Sequence, residues 1–193
     1  MPCPDRLSQW SQEVSTAFSH LSKPQVWGLV LWSAGIALSG AAGLPQISAL
    51  LALVLEHQEQ AVFQRLRAWY LDGKHKSGSK QGRKRRELDV TTCFAPLLRW
   101  IVRLWEPGNR QFVLVLDATS LRERWTVLSI NVVIRRCAIP VAWKVVGGHE
   151  KGSWRPHWEG LLTHLDGSIP ADWQVLVVNS LKGGPILHRR VGN

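Results

Sequence analysis

Phe112-Val113-Leu114-Val115-Leu116-Asp117 decides the fold class of this 193-residue chain. Five apolar residues in an unbroken run, closed by an acid, predict a strand buried on both faces. Two further β-rich runs follow at 125–134 and 138–146, the latter interrupted at Pro140, with Arg135-Arg136-Cys137 as the turn between them. Ser153 to Leu165 reads as a helix with Ser153 as its N-cap, and Gly167 to Pro170 breaks it. Trp173 to Val178 is a fourth strand. The order β-β-β-α-β allows a three-strand meander, with the helix crossing over to set the fourth strand parallel to the first.

Outward from the sheet, the N-terminal side is helical, which makes the whole chain α+β (mixed α/β). Pro24 to Leu55 holds no charged residue. The stretch is broken by Ser39-Gly40-Ala41-Ala42-Gly43-Leu44-Pro45, which reads as one helix stopping and another starting with Pro45 in its first turn. The two helices, 24–39 and 45–55, are each too short to span a bilayer. With no signal-peptide pattern before them, the expectation is no membrane partner and a cytoplasmic location. Gln58 to Tyr70 places Ala61, Val62, Leu66 and Trp69 near helical spacing, with Arg65 and Arg67 off that stripe. Helix, short turn and basic helix is the order of a helix-turn-helix, and equally that of two packed helices. Residues 91–105 form another amphipathic helix, with Leu97, Trp100, Ile101 and Leu104 on its apolar face.

The charge is uneven. The chain carries 24 Lys+Arg against 14 Asp+Glu, a net +10. Residues 73–110 hold ten basic and three acidic side chains. Most of these cations fall in Lys74-His75-Lys76-Ser77-Gly78-Ser79-Lys80-Gln81-Gly82-Arg83-Lys84-Arg85-Arg86, a flexible, self-repelling linker composition. Lys74, Lys76, Lys80, Arg83, Lys84, Arg85 and Arg86 are suited to phosphates, as are Arg65 and Arg67 upstream, so DNA is the expected partner. Hydrophobic residues at 45% exclude a wholly disordered chain. Cys3, Cys93 and Cys137 are too few and too scattered for a disulfide framework or a zinc site.

Asp117 is the one acid at the end of a very apolar strand, where burial is costly without a partner or a cation. Strand ends in mixed sheets collect ligands. The same position also suits an ordinary Asp capping the turn into Ala118-Thr119-Ser120, and position alone does not choose. Glu150, Asp166 and Asp172 are further acids in loops. His157 and His164 lie seven apart on the expected helix, without a third ligand to make a zinc site. Trp125, Trp143, Trp154 and Trp158 suit either the core or stacking on bases.

Leu116-Asp117-Ala118-Thr119-Ser120-Leu121 resembles the first-acid motif of bacterial insertion-sequence transposases of the DDE class. Cys137-Ala138-Ile139-Pro140-Val141-Ala142-Trp143-Lys144-Val145 is similar to the core strand after it, and Glu150-Lys151-Gly152-Ser153-Trp154-Arg155-Pro156-His157-Trp158 to the opening of the next helix. Upstream, Arg65 to Tyr70 and Arg86 to Trp100 resemble the family's helical N-terminal region. The resemblance runs from about residue 20 to 178. It implies a helical DNA-binding region at 1–72, a basic linker at 73–90 and a partial ribonuclease H-like catalytic domain at 91–193. It further implies DNA transposition and recombination: DNA binding at transposon terminal repeats, then metal-dependent phosphodiester cleavage and strand transfer by three carboxylates holding Mg2+. Asp117 corresponds to the first of these, both catalytic residue and metal ligand. Ser180 stands where the second Asp belongs, in Val177-Val178-Asn179-Ser180-Leu181, and no acid follows it. A hydroxyl does not replace a metal-bridging anion. The chain is therefore expected to be a truncated or frameshifted N-terminal fragment of this mobile-element enzyme, catalytically incomplete. The alternative is a regulator that binds DNA, or pairs with itself or a full-length transposase, and inhibits transposition.

Overall fold

The computed structural model describes residues 4–71, 87–105, 108, 110–135, 137–150 and 153–179. The chain divides into two compact units, residues 1–89 and 90–193. Among the described residues there are six α-helices and a four-stranded mixed sheet.

The first unit holds α1 (Pro4–Ala17), α2 (Lys23–Ser39), α3 (Leu44–Leu55) and α4 (Glu59–Tyr70). Local chemistry sets the ends of these helices. At the start of α2, Gln25 Oε1 accepts from both the N–H and the Oγ of Ser22, at 2.9 and 2.7 Å, while Pro24 occupies the first turn. Gly40, left-handed at φ 64°, ends α2, and its N–H reaches the Ile36 carbonyl. Pro45 sits in the first turn of α3, as the sequence predicts. Leu31, Ile47, Leu51, Ala52, Val62 and Leu66 form the core of α2, α3 and α4. α1 joins them through buried Val14 and Phe18 and a 2.8 Å hydrogen bond from Trp10 Nε1 to Ser33 Oγ. No single described helix is long and apolar enough to cross a membrane; α2 and α3, which together have the length, are bent by 97°.

In the second unit a short 3-10 turn (Val90–Cys93) leads into α5 (Phe94–Arg103). There follow β1 (Gln111–Leu121), β2 (Trp125–Ile134), β3 (Cys137–Gly147), α6 (Arg155–His164) and β4 (Gln174–Asn179). The sheet order is β3-β2-β1-β4; β1/β2 and β2/β3 are antiparallel and β1/β4 parallel. The crossover through α6 thus sets β4 beside β1, as the order of elements predicts. Phe112, Leu114 and Leu116 of β1, Leu128, Ile130 and Val132 of β2 and Val177 of β4 share one core with Phe94 and Leu98 of α5 and Trp158 and Leu161 of α6.

Three expectations are corrected. β1 is buried on one face only: Phe112, Leu114 and Leu116 are buried, while Val113 and Val115 are half-buried. Alternation along the pleat overrides the unbroken apolar run, because both described helices packed on the sheet share a core with the same alternate residues. β1 also does not end at Asp117. It continues to Leu121, since Asp117 to Leu121 all pair with β2. Pro140 does not interrupt β3; the ladder shifts between Ile130 and Asn131, and Val141 is the extra, fully buried residue of a bulge. An edge strand tolerates a residue without an N–H.

Candidate functional site

Asp117 lies on β1 on the face opposite Phe112, Leu114 and Leu116. It is half-buried and accepts a 2.9 Å hydrogen bond at Oδ2 from the Thr119 hydroxyl. Its partner across the β1/β2 ladder is Ser129, whose Oγ accepts from Asn131 Nδ2 at 2.9 Å. Asp117, Ser129 and Asn131 thus make a polar strip on a face that otherwise offers Val113 and Val115. On its other side β1 pairs with β4, and the last pair among the described residues is Leu116 with Asn179. Asp117 therefore directly follows the last pair described between β1 and β4, within a strand bound to β2. That fixes its backbone more firmly than a loop does.

The other acids named from sequence do not join it. Asp172 pairs with Arg110 at 2.9 Å, and Asp166 Oδ1 accepts the Gly167 N–H at 3.1 Å. Glu150 Oε1 lies 2.7 Å from His157 Nε2, while Lys144 Nζ lies 3.0 Å from His157 Nδ1. An ammonium only donates, so Nδ1 must accept and the ring proton sits on Nε2, where it donates to Glu150. That relay of Lys144, His157 and Glu150 ties β3 to the start of α6. Lys144 and His157 are thirteen residues apart, so no local pattern in the sequence signals their contact. His164 instead meets the edge of the Phe94 ring, with centroids 6.1 Å apart. Arg155, next to the relay, is held above its ordinary range by a hydrogen bond and charge attraction from Glu159 at 2.8 Å.

A Mg2+ ion needs a shell of oxygen donors, usually including one or two carboxylates. Asp117 supplies one. Among the described residues, no three His, Cys, Asp or Glu side chains converge to hold a metal. These residues alone do not fit a two-metal centre. Ser180 and the cations Lys74, Lys76, Lys80, Arg83, Lys84, Arg85 and Arg86 lie outside the described residues.

Arg65 and Arg67 are both exposed on α4. At about 100° per residue they stand on opposite flanks of the helix, with the buried Val62 and Leu66 between them on the inner side. Composition also missed a line of side chains: Gln60, Gln64 and Arg67, spaced i, i+4, i+7, all exposed and opposite the buried stripe. The two amides and the guanidinium share the outer face that a groove-reading helix needs. The signal was present in the spacing; counting charges alone passes over glutamines. The Trp residues sort by position: Trp158 is buried, Trp143 packs on Phe94 with centroids 4.9 Å apart, Trp154 packs against the core, and Trp125 is exposed.

Comparison with family models, curated proteins and solved structures finds no match to this chain.

Proposed function

We propose that the chain is a DNA-binding protein of transposition, cytoplasmic and without a membrane partner, whose second unit is the front part of a ribonuclease H-like domain of the DDE transposase type. The observation that carries this reading is the placement of Asp117. The sheet runs β3-β2-β1-β4 with β4 parallel to β1, and Asp117 stands on the central β1 at the carboxyl end of the described β1/β4 pairs. In such a fold this is where the first metal-binding carboxylate belongs, beside a second supplied after β4. Ser180 at that second position carries no charge, so DNA binding without cleavage is the activity proposed for these 193 residues.

In the first unit, Gln60, Gln64 and Arg67 of α4 support groove contact. Amide side chains pair with adenine edges, and guanidinium groups pair with guanine or phosphate. The cations of 74–86 would add sequence-independent affinity through counterion release.

The test is purified chain on duplex DNA carrying the element's terminal repeats, read by anisotropy over a salt series and by gel assay with Mg2+. Salt-sensitive binding without nicking is expected. Absence of DNA binding at low salt refutes the reading. Mg2+-dependent nicking that disappears in Asp117→Ala refutes catalytic incompleteness. A second reading, inhibition of a complete transposase by occupying its DNA or pairing with it, is favoured by the uncharged Ser180 at the second acid position. Mixing the chain with active transposase separates the two.

A further inference from the structure

The tip of the β1/β2 hairpin is built at a cost to the backbone. Arg122 and Glu123 both adopt left-handed conformations, φ 50° and 57°, at the two central positions of a tight turn closed by Arg124 N–H to Leu121 carbonyl at 3.3 Å, within the three-residue loop 122–124. Such turns favour Asn-Gly, because side chains with a Cβ are disfavoured at positive φ. The tip is nevertheless held in place. Gly148 N–H donates to the Arg124 carbonyl at 2.8 Å, and a Cβ at Gly148 would overlap the Glu123 carbonyl oxygen. Two large apolar residues that close the hairpin, Leu121 and Trp125, are paired across it, yet they are 54% and 48% exposed. Arg122 and Arg124, both exposed, lie between them in the loop, and neither has a side-chain partner among the described residues. Asp117 is four residues back along the same strand, about 13 Å away.

We propose that this tip is a DNA contact that stacks an unpaired base on Trp125 and Leu121 while Arg122 and Arg124 hold the flanking phosphates. The inference rests on the DNA-binding reading above and names the feature of DNA that would be recognised. Charge complementarity points to DNA: the chain is strongly basic, and the tip remains cationic even with Glu123 included. An exposed indole needs an open base face, which the interior of a duplex does not offer but an overhang or frayed end does. Rigidity supports the assignment, because a pinned tip loses little freedom on binding.

The probes are a blunt duplex and the same duplex with a 3′ overhang carrying 2-aminopurine, titrated with the full chain. Wild type should bind the overhang duplex more tightly and quench its fluorescence. Trp125→Ala should weaken overhang binding by roughly 5- to 100-fold, leaving blunt-duplex binding unchanged. The exposed pair Arg122→Gln/Arg124→Gln, which spares the apolar contacts, should lower the salt slope on the overhang by about 1.4. If wild type binds neither DNA, the DNA-binding reading and this inference fall together. If wild type binds both DNAs equally, or either variant binds the overhang as wild type does, this inference alone is overturned.

Discussion

Gly28→Ala sets two physical effects against each other, and their sign tests how α4 is held. In an uncrowded helix interior, Gly to Ala stabilises by about 1 kcal/mol. Gly28 lies buried on α2, and an added Cβ would overlap Cδ1 and Nε1 of Trp69 and stand 2.5 Å from Cγ. The indole has little room to slide, because its Nε1–H donates to the Gln25 carbonyl on the same helix at 2.9 Å. Overpacking of this kind costs about 1–3 kcal/mol, and loss of the hydrogen bond about 0.5–1.5 kcal/mol more. Set against the propensity gain, the expected net is a loss of about 1–3 kcal/mol. For a unit of this size, that lowers Tm by roughly 5–20 °C. Urea and thermal unfolding of the full chain, followed by helical circular dichroism, measure it. Trp69→Ala provides the control: once the indole is gone, adding Gly28→Ala should stabilise by about 1 kcal/mol. DNA affinity should fall in the single variant, since Trp69 positions the helix that carries Gln60, Gln64 and Arg67. Equal stabilisation by Gly28→Ala in both backgrounds would refute the close-contact argument.

Leu128, fully buried on the central β2, should cost about 2–5 kcal/mol when replaced by Ala, read from denaturant midpoints. Glu123→Gly relieves a left-handed residue and should stabilise by about 0.5–1 kcal/mol, whereas Gly148→Ala should destabilise, since its Cβ meets backbone at Glu123; differential scanning calorimetry resolves both signs. Replacing Lys74, Lys76, Lys80, Arg83, Lys84, Arg85 and Arg86 with Gln should flatten the log-affinity against log-salt slope on duplex DNA by about 6 if every one neutralises a phosphate. An unchanged slope would remove this segment from the interface.

What could be read from the sequence depended on how far apart the deciding residues lie. The helix breaks at Gly40 and Pro45 act on their own backbones, so two or three adjacent residues suffice to place them. The strand order also follows from local runs, because a meander and one crossover leave few ways to arrange four strands. The end of β1 escaped because Ala118, Thr119 and Ser120 have little apolar character of their own. They are strand because Val127, Leu128 and Thr126 lie opposite them, a pairing that forms only once the hairpin closes. The relay of Lys144, His157 and Glu150 is hidden for the same reason, since it needs β3 and α6 to meet. This difference bears on the meaning of Asp117. As the last residue of a strand it would be one more turn-capping acid. Within a strand that β2 continues to pair as far as Leu121, its carboxylate projects from a backbone the ladder holds still. Preorganisation of that kind is required of a metal ligand or a phosphate-facing acid and gains a turn cap nothing. Replacing Thr119 with Val removes its hydroxyl's hydrogen bond to Oδ2 but keeps the β-branched shape, so stability should change by less than about 1 kcal/mol. A loss of several kcal/mol would mean that Asp117 serves the fold and that its position carries no functional signal.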